Sequence, residues 1–202
     1  MTLIIFVRHG ESECNIKHIL SNYTDKYPLT KKGIKQAKNT GRALKNIKIT
    51  KFLTSPILRT RQTSEIISKY IKIKPKIEKN LTEREFGNFL GRHNNNDKWK
   101  FTAGNNVESF SSIQNRILSV LFKQKNLSSD VVLCITHHDP IVSMLSYSLS
   151  LDEFSSYAFR PNYASISIFD LKNKKLKLII SGVLFLNESM LKKIPKKYLV
   201  RT

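Results

Sequence analysis

The chain has 202 residues, of which 40% are hydrophobic and 25% are charged, so it can bury a core and is not an intrinsically disordered protein. Its 35 Lys and Arg residues outnumber its 15 Asp and Glu residues, which gives a formal net charge of +20 at pH 7. No apolar run reaches the ~20 residues that span a bilayer. We therefore expect one domain over residues 1–202, with no membrane span and a surface that attracts anions.

Five segments carry strand signals. The runs Leu3–Val7 and Val131–Ile135 are continuously apolar and rich in β-branched residues, the pattern of strands covered on both faces. A short strand is predicted at residues 51–54. Further along, residues 164–169 alternate Ser and Ile, and residues 176–180 can pair with them across a lysine-rich turn. The last two segments should lie near an edge of the sheet.

Four helices are predicted between and after these strands, from capping residues and apolar spacing. They cover residues 31–46 after the cap Thr30, residues 56–70 after the cap Ser55, residues 107–122, and a segment that begins at Pro140 after the cap Asp139. The polar stretch Arg92–Asn106, anchored by Trp99 and Phe101, is predicted to be a lid-like loop. Alternating strands and helices predict a three-layer α/β/α sandwich with a mainly parallel central sheet, whose ligands bind beyond the carboxyl ends of the strands.

Arginine and histidine residues cluster at the predicted strand tips. Arg8 and His9 follow the first strand, His137 follows the strand that ends at residue 135, and Arg59 lies in the first turn of the helix after Ser55. Taken alone, Arg8 and His9 fit an ordinary turn. Because the strand tips share one edge of the sheet, however, all four side chains should meet there and suit a dianionic phosphoryl group.

These residues are parts of longer motifs that occur in order along residues 3–145. The motifs are Arg8-His9-Gly10-Glu11-Ser12-Glu13-Cys14-Asn15, Leu29-Thr30-Lys31-Lys32-Gly33, Thr54-Ser55-Pro56 with Arg59, Leu81-Thr82-Glu83-Arg84, Glu108-Ser109 with Arg116, and Thr136-His137. In this order, with these predicted elements beneath them, they resemble the histidine phosphatase superfamily, also called phosphoglycerate-mutase-like. The resemblance implies the fold of that family and a phosphatase that hydrolyses phosphomonoesters without a metal or another cofactor.

The resemblance also implies roles for the four clustered residues. His9 is implied to be the nucleophile that forms a phosphohistidine. Arg8, Arg59 and His137 are implied to bind the phosphoryl oxygens. The physical chemistry agrees, because a nucleophilic histidine must be neutral and neighbouring arginines disfavour its imidazolium form.

The general acid is a separate question. Glu83 matches the family position for the acid that protonates the leaving alcohol and then deprotonates the attacking water. A purely structural alternative is that Glu83 pairs with Arg84 or Arg59. Asp139 is a rival acid, but helix capping explains that residue, so Glu83 is preferred.

Three further positions bear on the substrate pocket. Asn15 matches a pocket residue of the family and is taken as a substrate-binding residue. His138 stands where the family usually has glycine; it adds a titratable side chain at the pocket and is also counted among the substrate-binding residues. Leu90 replaces a glutamate found in many small phosphatases of the family, which removes a carboxylate from the rim.

Two other functions stay open. A 2,3-bisphosphoglycerate-dependent phosphoglycerate mutase would carry a long insertion after Gly91, where this chain has only residues 92–106, so length favours the phosphatase. A basic protein that binds anions or nucleic acid through an inactive pocket is the second alternative. The lysines are scattered without interleaved aromatic residues, which favours a solvated face over a nucleic-acid surface.

Cys14 and Cys134 form no CxxC motif and suit a reducing compartment, so we expect a cytoplasmic enzyme with a small phosphorylated substrate.

Overall fold

A six-stranded sheet forms the centre of the computed structural model, which describes residues 2–94, 105–123 and 130–200. The strands are β1 (Thr2–Arg8), β2 (Lys51–Thr54), β3 (Lys76–Ile77), β4 (Val131–Thr136), β5 (Ile166–Lys172) and β6 (Lys175–Val183). Their order across the sheet is β3-β2-β4-β1-β5-β6. The first four strands pair in parallel, and β5 and β6 add an antiparallel end. The mainly parallel sheet is confirmed.

Helices cover both faces of this sheet. They are α1 (Glu13–Ile16), α2 (Lys31–Leu44), α3 (Leu58–Ile71), α4 (Phe110–Phe122), α5 (His138–Leu149), α6 (Glu153–Ser156) and α7 (Glu188–Leu191), with 3-10 turns at Lys79–Leu81, Gly87–Phe89 and Lys196–Tyr198. Apolar residues of α2 and α3 pack on one face, and those of α4 and α5 pack on the other. The predicted three-layer sandwich is therefore confirmed.

The central strands are apolar along their whole length because both of their faces are buried. In β1, Ile5 packs into the core on the α2 and α3 side, whereas Ile4 and Phe6 pack into the core on the α4 and α5 side. All six residues of β4 are buried as well. A continuous apolar run thus fills two cores at once, with alternate residues serving each.

The predicted start of the second long helix is wrong. That helix, α3, begins at Leu58 with Ile57 as its N-cap, and not directly after Ser55. The Ser55 hydroxyl lies 2.9 Å from Nε2 of His137, a residue far away in the sequence. The Ser55 hydroxyl, which local capping rules assign to the helix, therefore forms a contact between the tips of two strands.

The predicted start of the helix after β4 is also wrong. Helix α5 begins at His138, with His137 at the N-cap, so Asp139 and Pro140 lie inside its first turn. The Asp139 carboxylate is consequently not a helix cap. Its Oδ1 lies 2.8 Å from Nδ1 of His138 and its Oδ2 accepts a hydrogen bond from the Tyr157 hydroxyl at 3.0 Å.

Other boundaries differ by a few residues, because helix α4 starts after its cap Ser109 and α2 ends at Leu44. Residues 95–104, which make up most of the predicted lid-like loop and include Trp99 and Phe101, lie outside the described residues, so the loop stays a prediction, as does the single domain over residues 1–202. Within the described ranges, none of the helices has both the length and the apolar character needed to cross a bilayer.

Candidate active site

A cavity of about 280 Å³ opens at the carboxyl ends of β1 and β4. Its wall includes most of the residues singled out from the sequence, namely Arg8, His9, Asn15, Arg59, Glu83, His138 and Asp139. His137 is fully buried and stands behind Arg59 without bordering the cavity. The fold thus gathers side chains from β1, α1, α3, the segment after the first 3-10 turn and the start of α5.

Nδ1 and Nε2 of His9 have different partners, which fixes the protonation of the ring. Nδ1 lies 2.7 Å from the carbonyl oxygen of Gly10, which can only accept, so Nδ1 carries the hydrogen. Nε2 accepts a hydrogen bond of 3.1 Å from Nε of Arg59. Burial, followed by the charges of Arg59 and Arg8, holds the pKa of His9 well below its usual value. His9 is therefore neutral, with the lone pair of Nε2 directed at the guanidinium side.

The loop that carries His9 lies against the start of α2. A Cβ on Gly10 would lie 2.5 Å from the carbonyl oxygen of Gly33, so only glycine permits this approach of the two backbones. The Gly10 N–H donates to the Thr63 hydroxyl on α3 at 3.1 Å. Two helices therefore hold the turn that presents the His9 ring.

Arg59 connects the two histidines. Its Nη2 donates to the carbonyl oxygen of Ser21 at 2.9 Å and lies 3.1 Å from Nδ1 of His137, in addition to the contact of Nε with His9. The side chain is 2% exposed, and its Nη1 has no hydrogen-bond partner among the described residues. Burial lowers the pKa of the guanidinium.

Arg8 forms the adjacent part of the wall. Its Nη1 donates to the carbonyl oxygen of Pro161 at 2.8 Å, and its guanidinium lies 4.1 Å from the centre of the Tyr163 ring. Nε of Arg8 is buried and, within the described part of the chain, has no hydrogen-bond partner. Buried donors without acceptors are costly, and an anionic group bound beside Arg8 and Arg59 would supply acceptors for them.

His137 is also held as a neutral ring. Its Nδ1 accepts from Arg59, so Nε2 carries the hydrogen and donates to Oγ of Ser55 at 2.9 Å. Burial first, then the charge of Arg59, holds the pKa of His137 well below its usual value. The His9 and His137 rings lie 5.2 Å apart between centroids.

Glu83 is buried, with 8% of its surface exposed, and backbone N–H groups surround its carboxylate. Oε1 accepts from the N–H groups of Arg84 at 3.0 Å and Asp139 at 3.2 Å, and Oε2 accepts from the N–H of His138 at 3.1 Å. Burial, followed by the nearby charge of Asp139, raises the pKa of Glu83. A carboxyl group with a raised pKa keeps its proton to a higher pH than an ordinary glutamate does, as a general acid requires.

Two arginines near Glu83 have partners that support the segment around it. The Arg84 guanidinium donates to Glu153 at 2.9 Å and to the Tyr157 hydroxyl at 3.0 Å. Arg116 pairs with Glu108 at 2.7 Å and donates to the carbonyl oxygen of Glu83 at 3.2 Å. The Glu83 loop is thereby tied to helix α4.

Asn15 borders the cavity from α1. Its Oδ1 accepts from the Ser12 backbone N–H at 3.0 Å and from the Ser12 hydroxyl at 2.8 Å, so its carbonyl end is bound within the loop. Cys14 is buried beside it, as a free thiol. Leu90, the residue that replaces a glutamate, is exposed and lies outside the cavity wall.

Several contacts of the site could not be read from local sequence. Tyr163 stacks on Arg8, Arg160 lines the rim, and Tyr157 binds Asp139. Ser21 contributes a backbone carbonyl to Arg59. No motif surrounds these residues, and they reach the cavity only through the path of the chain after α1 and α6.

The chain is similar to known proteins of one superfamily. The sequence profile of the histidine phosphatase superfamily (branch 1) matches residues 4–181. The 2,3-bisphosphoglycerate-dependent phosphoglycerate mutase of Thermoplasma acidophilum is 30% identical, over 85% of this chain and 88% of that protein. The adenosylcobalamin/alpha-ribazole phosphatase of Salmonella typhimurium is 26% identical, over 82% of this chain and 88% of that protein.

Solved structures show the same fold. Bacillus stearothermophilus YhfR superposes with a TM-score of 0.82 at 20% identity, covering 90% of this chain and 97% of that chain. A mutant phosphoserine phosphatase of Entamoeba histolytica, in complex with phosphoserine, superposes with a TM-score of 0.77 at 22% identity, covering 91% of this chain and 98% of that chain.

Proposed function

Because the chain belongs to the histidine phosphatase superfamily, branch 1, we propose that it is a phosphatase that hydrolyses phosphomonoesters through a phosphohistidine on His9. The observation that carries this proposal is a neutral His9 ring beside two guanidiniums, whose buried donors Arg8 Nε and Arg59 Nη1 have no partner among the described residues. The oxygens of a phosphoryl group are acceptors for both donors. The same charges stabilise the transition state of its transfer.

In the first step, Nε2 of His9 attacks phosphorus while the ester P–O bond breaks. Nε of Arg59 no longer donates to Nε2 of His9 and donates to a phosphoryl oxygen instead. The electron pair of the broken bond goes to the leaving oxygen, which takes a proton from Glu83. The Nδ1–H of His9 keeps its hydrogen bond to Gly10 and so supports the positive charge that develops on the ring.

In the second step, water attacks phosphorus from the side that the alcohol has left. The Glu83 carboxylate takes a proton from this water, and the P–N bond breaks with its electron pair returning to Nε2 of His9. His137 is proposed to bind the phosphoryl oxygens. In the structure its Nδ1 accepts from Arg59 and its Nε2–H donates to Ser55, so a hydrogen bond to a phosphoryl oxygen requires a second proton, on Nδ1, when Arg59 turns to the phosphoryl group. With Nδ1 unprotonated, the ring orients Arg59.

We propose a small phosphorylated metabolite as the substrate. The net charge of +20 draws anions toward the cavity. Asn15 and His138, both in the cavity wall, are the proposed contacts to the part of the substrate beyond the phosphoryl group. A cytoplasmic location is part of the proposal and is supported by two buried thiols that form no disulfide, Cys14 and Cys134.

A second candidate is a bisphosphoglycerate-dependent phosphoglycerate mutase, because the Thermoplasma relative bears that name. In such an enzyme, bisphosphoglycerate would keep His9 phosphorylated and the phosphoryl group would return to the sugar acid. The residues that would hold the acid group follow Gly91, where the chain is short. The Thermoplasma relative is of similar length, since the match covers 85% of this chain and 88% of that protein, so length alone does not separate the two candidates.

One assay separates the candidates. The purified protein is given 4-nitrophenyl phosphate, and then 3-phosphoglycerate with and without 2,3-bisphosphoglycerate, and phosphate release and isomerisation are both measured. We expect phosphate release that needs no bisphosphoglycerate and that is abolished in His9→Ala. Isomerisation without phosphate release would instead support the mutase, and full turnover by His9→Ala would exclude the phosphohistidine.

A further inference from the structure

His138 and Asp139 form a pair of side chains in the cavity wall that the mechanism above leaves without a chemical role. Nδ1 of His138 lies 2.8 Å from Oδ1 of Asp139, and the His138 side chain is 18% exposed. The His138 ring also stacks on Tyr157, at 6.1 Å between centroids and 9° between planes. With Nδ1 bound to Asp139, Nε2 is the ring nitrogen available to a molecule in the cavity.

Asp139 is itself firmly held. Its Oδ2 accepts from the Tyr157 hydroxyl at 3.0 Å and lies 3.8 Å from Nη1 of Arg84. Arg84 is in turn bound to Glu153 on α6. These partners of Oδ2 hold the Asp139 carboxylate in place, and its Oδ1 fixes the direction of the His138 ring, as carboxylates do for imidazoles in other proton-transfer sites.

His138 also adjoins the proposed acid and borders the same cavity as His9. Its backbone N–H donates to Oε2 of Glu83 at 3.1 Å, so the two residues are neighbours. A positive charge on His138 disfavours protonation of His9 and of Glu83, which places it within electrostatic range of the proposed nucleophile and of the proposed acid. Leaving alcohol and attacking water both occupy the side of phosphorus opposite His9, and both need a proton-transfer partner there.

We propose that His138 is a second catalytic acid and base of this hydrolysis, alongside Glu83, and that Asp139 is its positioning residue. The inference rests on the proposed phosphatase function. In the first step, the leaving oxygen takes a single proton as the P–O bond breaks, and a protonated His138 gives that proton from Nε2 in place of Glu83, which stays ionised in that turnover. In the second step, the lone pair of Nε2 takes a proton from water as water attacks phosphorus and the P–N bond of His9 breaks. His138 is thereby returned to its starting state.

This role differs from that of a side chain that only fills space. An alcohol of high pKa requires a proton to leave, whereas 4-nitrophenolate does not, so a second acid matters for alkyl phosphates alone. Packing by the His138 ring would affect both kinds of substrate equally. A residue that merely contacts the leaving group would change KM and would not be replaced by a base from solution.

The test is chemical rescue in His138→Gly, which restores the residue usual at this position of the family. Hydrolysis of glycerol 1-phosphate and of 4-nitrophenyl phosphate is measured with and without added imidazole. We expect the variant to lose about 10²-fold in kcat/KM, which reports only the first step, on glycerol phosphate and little on the aryl phosphate, near the lower end of the effect of a general acid. Added imidazole should restore the alkyl reaction in proportion to its concentration.

Further variants make the outcome specific. His138→Asn keeps a polar side chain without proton transfer and should show the same selective loss without rescue, and Asp139→Asn should give a smaller loss of the same selectivity. His93→Asn replaces an exposed histidine and should match the unchanged protein. Equal losses on both substrates, or no response to imidazole, would overturn the proposal for His138. Failure of the unchanged protein on 4-nitrophenyl phosphate would instead overturn the phosphatase function itself.

Discussion

The two sides of the cavity place histidines in opposite electrostatic surroundings. On one side, His9 and His137 both contact the guanidinium of Arg59, and their pKa values are held well below the usual value. On the other side, His138 contacts the carboxylate of Asp139, beside Glu83. An imidazole kept neutral by cations suits nucleophilic attack, whereas one paired with a carboxylate suits proton exchange. The comparison indicates a phosphoryl-binding side and a proton-transfer side.

The largest effect should come from the phosphoryl-binding side. Arg59→Ala removes the contacts with His9 and His137 together with the proposed phosphoryl contact, so kcat should fall about 10³–10⁵-fold, the range for a transition-state arginine. The loss should be similar for alkyl and aryl phosphates, because both need charge stabilisation. Steady-state kinetics on the two substrates measures it.

Two variants serve as controls for that change. Arg61→Ala removes a cation from the same helix that pairs with Asp25 outside the cavity, and it should leave turnover unchanged. Arg59→Lys keeps the charge but not the three donors on which the site depends, so it should lie closer to the alanine variant than to the unchanged protein. A loss confined to alkyl phosphates would contradict the division between the two sides.

The proton-transfer side is expected to give a smaller and selective effect. Glu83→Gln removes the proposed acid while keeping a side chain of the same shape, and should slow alkyl phosphate hydrolysis about 10²–10⁴-fold. Aryl phosphates with good leaving groups should be much less affected in the first step. Glu85→Gln, two residues further along at an exposed position, is the matched control. Equal loss on both substrates would move the acid elsewhere.

The raised pKa of Glu83 predicts the direction of a pH effect. The first step requires the protonated carboxyl group, so kcat/KM for an alkyl phosphate should fall as pH rises through that raised pKa. This decrease of kcat/KM with rising pH should be absent in Glu83→Gln. Profiles of kcat/KM against pH, recorded with an alkyl and an aryl phosphate, show whether the decrease arises in the leaving-group step.

The lowered pKa values of His9 and His137 predict an effect on stability. As pH falls below about 6.5, the unfolded chain takes up protons on imidazoles that stay neutral in the folded protein, so the free energy of unfolding should fall. Each histidine should contribute about 1.4 kcal/mol per pH unit. Urea unfolding of the unchanged protein and of His137→Gln between pH 7 and about 5 should show a smaller slope in the variant.

The smallest effect is expected from the partner of His137. Ser55→Ala removes the hydroxyl that accepts from Nε2 of His137, a single hydrogen bond of about 1 kcal/mol, so kcat should fall only several-fold. Ser112→Ala, which removes an exposed hydroxyl on α4, is a control of similar chemistry. A loss as large as that of Arg59→Ala would show that Ser55 acts on the substrate directly.

Local rules placed most elements correctly but misplaced two helix starts, at Ser55 and at Asp139. Capping rules compare each residue only with its sequence neighbours, whereas Ser55 and Asp139 also bind side chains that lie far away along the chain. Ser55 meets His137 across the tips of β2 and β4, and Asp139 meets Tyr157 beyond the end of α5. The same long-range contacts place Arg8 on Tyr163. Such partners cannot be predicted from the spacing of residues along the chain.

The spacing of apolar residues, the helix-capping residues and the order of the motifs can all be read along the chain. The layer order and the residue types at the strand tips could therefore be predicted from the amino-acid sequence. Tertiary structure alone decided which atom of each ring is available. Nε2 of His9 carries the lone pair because Gly10 binds Nδ1, and Nδ1 of His138 is the ring nitrogen bound by Asp139. Burial and the charge of Arg59, which comes from a helix 50 residues away, keep His9 neutral only once the chain has folded, with a further contribution from the neighbouring Arg8.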